Sequence, residues 1–345
     1  MSRFFRTPFT LSTVAAIALV TLIIGVLVAR LFAPAATRAN ANVPASSKRI
    51  DVIVKATDSQ FWQAMLAGSQ AAGKDWGLQV GLFGATSEAD VNDQVGLVEN
   101  SVSRNVDAIV LAASSSQALN GVIDRARKQG IKVITVDTRV TTASDGFIGT
   151  DNAKAGAQDA DRLGTLLQKK GVTSGQILIE SSVAGVQTIV DRDSGFQLEL
   201  QSRFPGLRIT AHRYNNNDTP TALSQVNDTL SATSNLVGIY ADNNVSGDGV
   251  AQSLQENKAQ NRIVAVGFDS DPQEISALKN GTLQGIVVQN PYYFGYQGVI
   301  AAAMSAQGRF APPSLDPGAV LVDADNMNSP IVQKLLSPPT TKGGK

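Results

Sequence analysis

Val264-Ala265-Val266-Gly267-Phe268-Asp269 is a run of small and β-branched apolar residues that stops abruptly on a carboxylate. Bounded by turn residues, such a run reads as a strand buried on both faces. An earlier stretch, Val133-Ile134-Thr135-Val136-Asp137, has the same shape. Each follows a helix-patterned segment and a short polar turn, Gln129–Lys132 in one case and Gln260–Arg262 in the other. Each places an Asp where a parallel strand leaves its sheet. Ligands of open α/β sheets bind outside the carboxyl ends of the strands. Two such Asp residues, one in each half of the chain, imply two lobes that face one ligand.

Outward from these runs the pattern is βα after βα. Strands are expected at Ile50–Ala56, Leu78–Phe83, Ala108–Ala112, Val133–Asp137 and Gly146–Thr150. Helices are expected between them at Phe61–Trp76, Ala89–Arg104 and Ser116–Lys128, and a further helix, Asn152–Lys169, opens after Asp151. The rhythm then restarts. Strands at Gln176–Glu180, Arg208–Tyr214, Leu236–Ala241, Ile263–Phe268 and Gly285–Val288 alternate with helices near Val190–Arg203, Pro220–Ser231, Ser246–Asn257 and Pro272–Lys279. A helix over Pro291–Gln307, a strand over Gly318–Asp323 and a short helix over Ser329–Leu336 close the series, and Ser337–Lys345 is a Pro-, Thr- and Gly-rich tail. Such alternation means parallel sheets covered by helices on both faces, an α/β fold of two doubly wound lobes. The restart near Asp151 marks a lobe boundary, without a residue-level repeat.

The chain opens with Arg3 and Arg6, then an uncharged run over Phe9–Ala29, Arg30, and small residues ending Ala39-Asn40-Ala41. A basic start, an apolar middle and a small-x-small site describe a secretory signal peptide. The run is also long enough to span a bilayer as an uncleaved anchor. The Ala-Asn-Ala form favours cleavage near Ala41. Residues 1–41 are thus a leader, residues 42–48 a polar linker, and both readings export Asn42 onward.

The leader holds four Arg and no acid, so the remainder carries 25 basic and 29 acidic residues. That balance offers no basic face for nucleic acid. With no Cys, disulfides, thiolate metal sites and Cys nucleophiles are excluded, and compartment is left open. His212 is the only His. It excludes a His-rich metal site and disfavours a Ser-His-Asp triad, and it reads as a polar residue at a strand edge. Gly68-Ser69-Gln70-Ala71-Ala72-Gly73-Lys74 fits most of a phosphate-binding loop, but Asp75 follows where Ser or Thr would hold Mg²⁺. The run also lies inside an expected helix, whose ladder consumes its backbone N–H groups. No Gly-x-Gly-x-x-Gly follows a strand. No cofactor or metal is expected.

What remains is polar and aromatic residues just after strands. Phe61 and Trp62 either pack the start of a helix or stack on the C–H face of a sugar ring. Asp137 and Asp269 either cap the next helix or accept hydrogen bonds from ligand hydroxyls. Asn243 and Gln289 follow strands too, and an amide that donates and accepts at once suits hydroxyls.

From Arg49 to Leu336 the chain resembles periplasmic sugar-binding proteins of ABC importers, the ribose- and allose-binding type. The resemblance runs through Phe61-Trp62, Val133–Asp137, Gly149-Thr150-Asp151-Asn152, Asp191-Arg192-Asp193-Ser194-Gly195-Phe196, Ala241-Asp242-Asn243, Val266-Gly267-Phe268-Asp269 and Val288-Gln289-Asn290-Pro291. It implies two lobes joined by three hinge strands with the sugar in the cleft between them. The first lobe would be residues 49–150 plus 291–317. The second would be residues 151–290 plus 318–336, with 337–345 as the tail.

By the same resemblance Phe61 and Trp62 would sandwich one sugar face, and Asp137, Asn243, Asp269 and Gln289 would bind hydroxyls. Lys55 stands where allose-type members place a sugar-binding Lys, and Ser59 where the family often has Asn. Asn217 falls near a second-lobe aromatic of the family. The family's Arg after the first-lobe Asp is Thr138 here, with Arg139 one step later. A second sugar-binding Arg is replaced by Val190, and Arg192 matches a neighbouring Arg.

The function implied is capture of a neutral monosaccharide or polyol by an exported, monomeric solute-binding protein. It would pass the ligand to a membrane permease driven by a separate ATPase, without catalysis. A periplasmic sensory subunit presenting bound sugar to a receptor, or a binder of another small solute, is the alternative. The ligand-binding core of a transcription regulator would need a helix-turn-helix where this chain has its apolar leader. An enzyme using Asp137 and Asp269 as acid and base would need them to flank one bond at about 5–10 Å.

Overall fold

The computed structural model describes residues 47–309 and 313–341. The expected leader lies outside the described residues, and so does most of the linker.

Five strands make a first sheet, all parallel: β1 (Arg49–Ala56), β2 (Gln79–Ala85), β3 (Ala108–Leu111), β4 (Lys132–Val136) and β5 (Gly146–Ile148). Their order across the sheet is β2-β1-β3-β4-β5. The period-2 alternation of a strand sends neighbouring residues to opposite faces. Ile50, Val52 and Val54 therefore join one cluster, with Val110, Ile134 and Phe294. Ile53 joins another on the far side, with Ile109, Leu111 and Ile123. Each of these fully buried aliphatic side chains contributes about 1.5–3 kcal/mol of transfer free energy.

The second sheet takes β6 (Gly175–Ser181), β7 (Leu207–Tyr214), β8 (Leu236–Ala241), β9 (Val264–Phe268), β10 (Ile286–Val288) and β11 (Val320–Val322). Its order is β11-β10-β9-β8-β6-β7, parallel except for β11, which runs antiparallel to β10.

Helices cover both sheets. On the first lie α1 (Gln60–Trp76), α2 (Val91–Ser103) and α3 (Asn120–Lys128); on the second lie α4 (Asn152–Lys169), α5 (Gln187–Arg203), α6 (Thr219–Ala232), α7 (Asn244–Glu256) and α8 (Pro272–Lys279). The chain then returns, and α9 (Pro291–Ala306) packs on β3 and β4 beside α1. After it, Leu315 bridges Ile148 in parallel, β11 joins the second sheet, and α10 (Pro330–Leu336) buries Val332 and Leu336 there. The backbone thus passes between the sheets three times: after β5, after β10 and before β11.

Two helix pairs, one per sheet, meet through glycines. A Cβ on Gly68 of α1 would lie 2.0 Å from the Tyr292 carbonyl oxygen, and one on Gly295 of α9 would lie 1.9 Å from that of Met65. The α4–α5 pair repeats this, with Gly156 against the carbonyl of Arg192 at 2.0 Å and Gly195 against that of Ala153 at 1.9 Å.

Helix starts follow their caps. Asp151 accepts from the Lys154 N–H and opens α4, and Asp271 opens α8 in a reciprocal box with Glu274. Helix α5 begins at Gln187, three residues before the pattern suggests, because Val186 ahead of it has no capping side chain to signal the start. The C-terminal tail also has a fixed contact: the Thr341 hydroxyl donates to the Gln63 side-chain oxygen on α1. Among the described residues no helix is long and apolar enough to cross a membrane.

Candidate functional site

Loops at the carboxyl ends of strands from both sheets converge on one cavity. From the first sheet come Lys55, Phe61, Trp62, Glu88 and Asp137. From the second come Arg192, Asn243, Asn244, Asp269 and Gln289, with Ser182, Val183, Val186, Thr188 and Ile189 from the β6–α5 segment.

Lys55, the last residue but one of β1, is a buried cation. Its Nζ lies 3.0 Å from Asp137 Oδ2 and 4.0 Å from Glu88 Oε2. It also sits 5.4 Å from the centre of the Trp62 ring, within range of the ring's negative face. The Trp62 Nε1–H donates to Glu88 Oε1 at 2.7 Å. Burial pushes the Glu88 carboxyl above its ordinary value, and Lys55 and the indole N–H hold it back. Phe61 and Trp62 do not form parallel plates. Their centroids are 4.7 Å apart at 83°, so the two rings make a corner.

Asp137 and Asp269 share an unusual backbone, with φ of 61° and 81°. Both keep their N–H in the sheet ladder, donating to Ile148 at 2.9 Å and Val287 at 2.8 Å. Positive φ in a non-glycine residue costs about 1–2 kcal/mol, less for Asp. Here it turns each side chain out of the pleat toward the cavity. Neither residue caps a helix: β4 is followed by β5, and α8 is capped by Asp271. Thr138 donates its hydroxyl to Asp137 Oδ2 at 2.7 Å. Asp269 Oδ1 accepts from Gln289 Nε2 at 2.9 Å, and Gln289 Oε1 accepts from the Thr150 hydroxyl at 2.8 Å. Burial raises Asp269 to about 6, against the pull of Arg192 and Gln289.

Arg192 is buried on α5 and held from three sides. Nε donates to Asn152 Oδ1 and Nη1 to the Asp242 carbonyl, each at 2.8 Å, and the guanidinium lies 3.7 Å from the centre of the Phe268 ring. Nearby, Asp159 and Asp242 are buried, and burial drives both well above the carboxylate range. Neither Asp159 oxygen has a hydrogen-bond partner among the described residues.

Asn243 both lines the cavity and caps α7, its Oδ1 accepting from the Ser246 N–H at 2.9 Å. Its Nδ2 donates to Asn217 Oδ1 at 2.8 Å, so Asn217 reaches the cavity only through Asn243. Ser59 caps α1 through the Trp62 N–H at 3.5 Å. Arg139 is exposed, stacked 3.8 Å from the centre of the Phe147 ring and bonded to the Ser314 hydroxyl at 2.9 Å. The structure therefore brings Lys55, Phe61, Trp62, Asp137, Arg192, Asn243, Asp269 and Gln289 to the cavity wall. Ser59, Thr138 and Asn217 support those residues, and Arg139 is elsewhere.

Sequence reasoning missed Glu88, Asn244 and the β6–α5 segment with Ser182, Val183, Val186, Thr188 and Ile189. Glu88 lies three residues after β2, so the rule that selected polar residues beyond strand ends covers it. Val186 and Ile189 carried no such signal.

His212 lies on β7, the outer strand of its sheet, with Nε2 3.0 Å from Asp193 Oδ2 and 2.9 Å from the Ser181 hydroxyl. A Ser-His-Asp relay needs one ring nitrogen for each partner, and here one nitrogen faces both.

A family model described as the periplasmic binding protein domain matches residues 50–309. The D-allose-binding periplasmic protein of Escherichia coli (strain K12) is 26% identical over 282 residues, covering 79% of this chain and 89% of that protein. A carbohydrate transporter solute binding protein from Agrobacterium radiobacter, solved in complex with D-arabinose, is similar at a TM-score of 0.82 and 34% identity, over 85% of this chain and 100% of that one. An ABC transporter solute binding protein from Agrobacterium vitis with bound D-fucose is similar at a TM-score of 0.79 and 32% identity, over 84% and 100%.

Proposed function

The chain belongs to the periplasmic binding protein domain family, and from that premise we propose that it captures a monosaccharide or related polyol and delivers it to an ABC permease. One observation carries the reading. Two sheets present hydrogen-bonding carboxylates and amides, Asp137 from one and Asp269 with Gln289 from the other, to a single cavity with an aromatic corner. Ionised carboxylates accept from hydroxyls in bonds about twice as strong as neutral ones. The face of Phe61 or Trp62 suits the C–H side of a sugar ring. The protein binds and releases; it is not an enzyme.

Residues 49–150 with 291–317 form one lobe in this reading, and residues 151–290 with 318–336 the other. The three backbone passages between the sheets act as the hinge, and the lobes close over the ligand. The leader exports the chain to the periplasm or the outer face of the cytoplasmic membrane, where the closed monomer meets the permease and its ATPase.

A thermal shift screen of the purified protein against pentoses, hexoses, deoxysugars, polyols and amino acids tests this. A ligand at 100 times its dissociation constant adds about 2.7 kcal/mol of stability. A sugar or polyol should raise the melting temperature, and Asp137→Ala and Asp269→Ala should abolish the shift. A shift with amino acids alone would refute the sugar reading.

A further inference from the structure

Two of the backbone passages between the sheets meet beside the cavity. Thr150 lies on the first, shortly after β5, and Gln289 on the second, directly after β10. Both side chains are buried. The Thr150 hydroxyl donates to Gln289 Oε1 at 2.8 Å, and Gln289 Nε2 donates to Asp269 Oδ1 at 2.9 Å. The passage before β11 is tied to the first as well. The Gly149 N–H donates to the Leu315 carbonyl at 3.0 Å, and the Asp151 N–H to Asp316 Oδ2 at 3.3 Å. Asn152 Nδ2 donates to the Thr150 carbonyl at 3.2 Å, while Asn152 Oδ1 accepts from Arg192.

Gln289 and Asp269 line the cavity, and Thr150 stands behind them. A primary amide has an acceptor end and a donor end with two N–H bonds. Thr150 occupies the acceptor end of Gln289, which leaves the donor end facing Asp269. One N–H secures a carboxylate oxygen, and the second is left for a ligand oxygen. Without the Thr150 hydroxyl, Oε1 would be buried without a donor, and the amide would turn or withdraw to avoid that cost. Because Thr150 and Gln289 belong to different passages, their bond depends on how the passages lie against each other. We infer, resting on the sugar-binding reading above, that Thr150 is a positioning residue for the sugar. Its hydroxyl sets the Gln289 amide, and through it Asp269, and so ties these two ligand contacts to the geometry of the passages.

Three variants separate this role from packing. Thr150→Val keeps much of the shape and removes the hydroxyl, Thr150→Ser keeps the hydroxyl, and Gln289→Leu removes the group through which Thr150 acts. Calorimetric titration uses D-allose, D-ribose, D-arabinose and D-fucose. For each that binds the parent protein, Thr150→Val should weaken affinity about three- to tenfold. Thr150→Ser should restore most of that loss. Added to Gln289→Leu, Thr150→Val should change affinity by less than about twofold, because residues acting through one group are not additive. In unliganded protein the nitrogen-15 signals of the Gln289 side-chain amide, identified by their loss in Gln289→Leu, should move in Thr150→Val and stay near their places in Thr150→Ser. Thr150→Ala serves as a second variant should Thr150→Val fail to fold, as judged by its unliganded melting. Full affinity without the hydroxyl, unmoved amide signals, or an equal loss with and without the Gln289 side chain would each overturn the inference and leave the sugar reading standing. Binding of none of these sugars, with no shift across the wider thermal screen, would overturn the sugar reading and the inference with it.

Discussion

Asp137 and Asp269 are counterparts: each is the residue after a central run of its sheet, each has left-handed φ, and each still donates its N–H to the neighbouring strand. Asn tolerates this backbone nearly as well as Asp. Asp269→Asn should therefore fold with little loss of unliganded stability while sugar affinity falls about 10–100-fold, the value of a charged hydrogen bond. Asp137→Asn should cost stability as well, because it leaves Lys55 buried beside a neutral partner. Calorimetry and thermal melting of the two variants separate these effects.

Stability and affinity should run in opposite directions with pH. Burial raises Asp269 to about 6, and Glu180 and Asp248 each to about 7. Unfolded carboxyls titrate near pH 4. Between about pH 4 and 7 the folded protein holds protons that the unfolded chain releases, so stability falls as pH rises. Unliganded protein should melt at a lower temperature at about pH 7.5 than at about pH 5. Affinity should strengthen as Asp269 ionises through about 6, because the carboxylate accepts better from hydroxyls. Asp248→Asn should flatten the melting profile and leave the affinity profile in place.

Glu88 should act on the ligand through Trp62 and Lys55. Glu88→Gln keeps an acceptor for the indole N–H but removes the charge near Lys55, whereas Glu88→Leu removes both. Trp76 is 62% exposed, so Trp76→Phe should change stability by less than about 0.5 kcal/mol and leave Trp62 as the lone tryptophan. In that background Glu88→Leu should shift the emission and weaken binding about tenfold or more. Glu88→Gln should retain most of the parental spectrum.

Gly156 on α4 and the Arg192 carbonyl on α5 approach so closely that a Cβ would lie 2.0 Å away. Gly156→Ala must push the helices apart and carry Arg192 with them. Destabilisation of about 1–3 kcal/mol is expected, with an affinity loss larger than that of the similarly placed Gly68→Ala, whose contact is the Tyr292 carbonyl. Equal effects of the two variants on affinity would show that the position of Arg192 does not matter to the ligand.

Much of this was legible in the sequence because it is written in local chemistry. The runs Val133–Asp137 and Val264–Asp269 are apolar on both faces, and up to the residue before the Asp both are strands paired in parallel with both neighbours. Helices α4 and α8 start at the residues expected, after Asp151 and at Pro272, since caps and prolines are local signals. Where no local signal exists the reading falls short. Val186 carries no capping side chain, so no local signal marks the first turn of α5, which brings Thr188 and Ile189 to the cavity. Arg139 stands one step beyond the place where the resemblance puts an Arg, and it lies away from the cavity, against Phe147 and Ser314. The left-handed turn at Asp137 sends the Asp137 and Arg139 side chains to different places, and only the three-dimensional backbone records that turn.

Helix α9 covers one face of the first sheet with Phe294, Val299 and Ala302, yet it follows the second sheet's first five strands in the chain. As the polypeptide emerges from N- to C-terminus, β1 to β5 come first and must wait. Their inner face stays unsealed until residue 306 is out. The first half to be made therefore stays incomplete until most of the second has followed it, and its window for misassembly spans that interval.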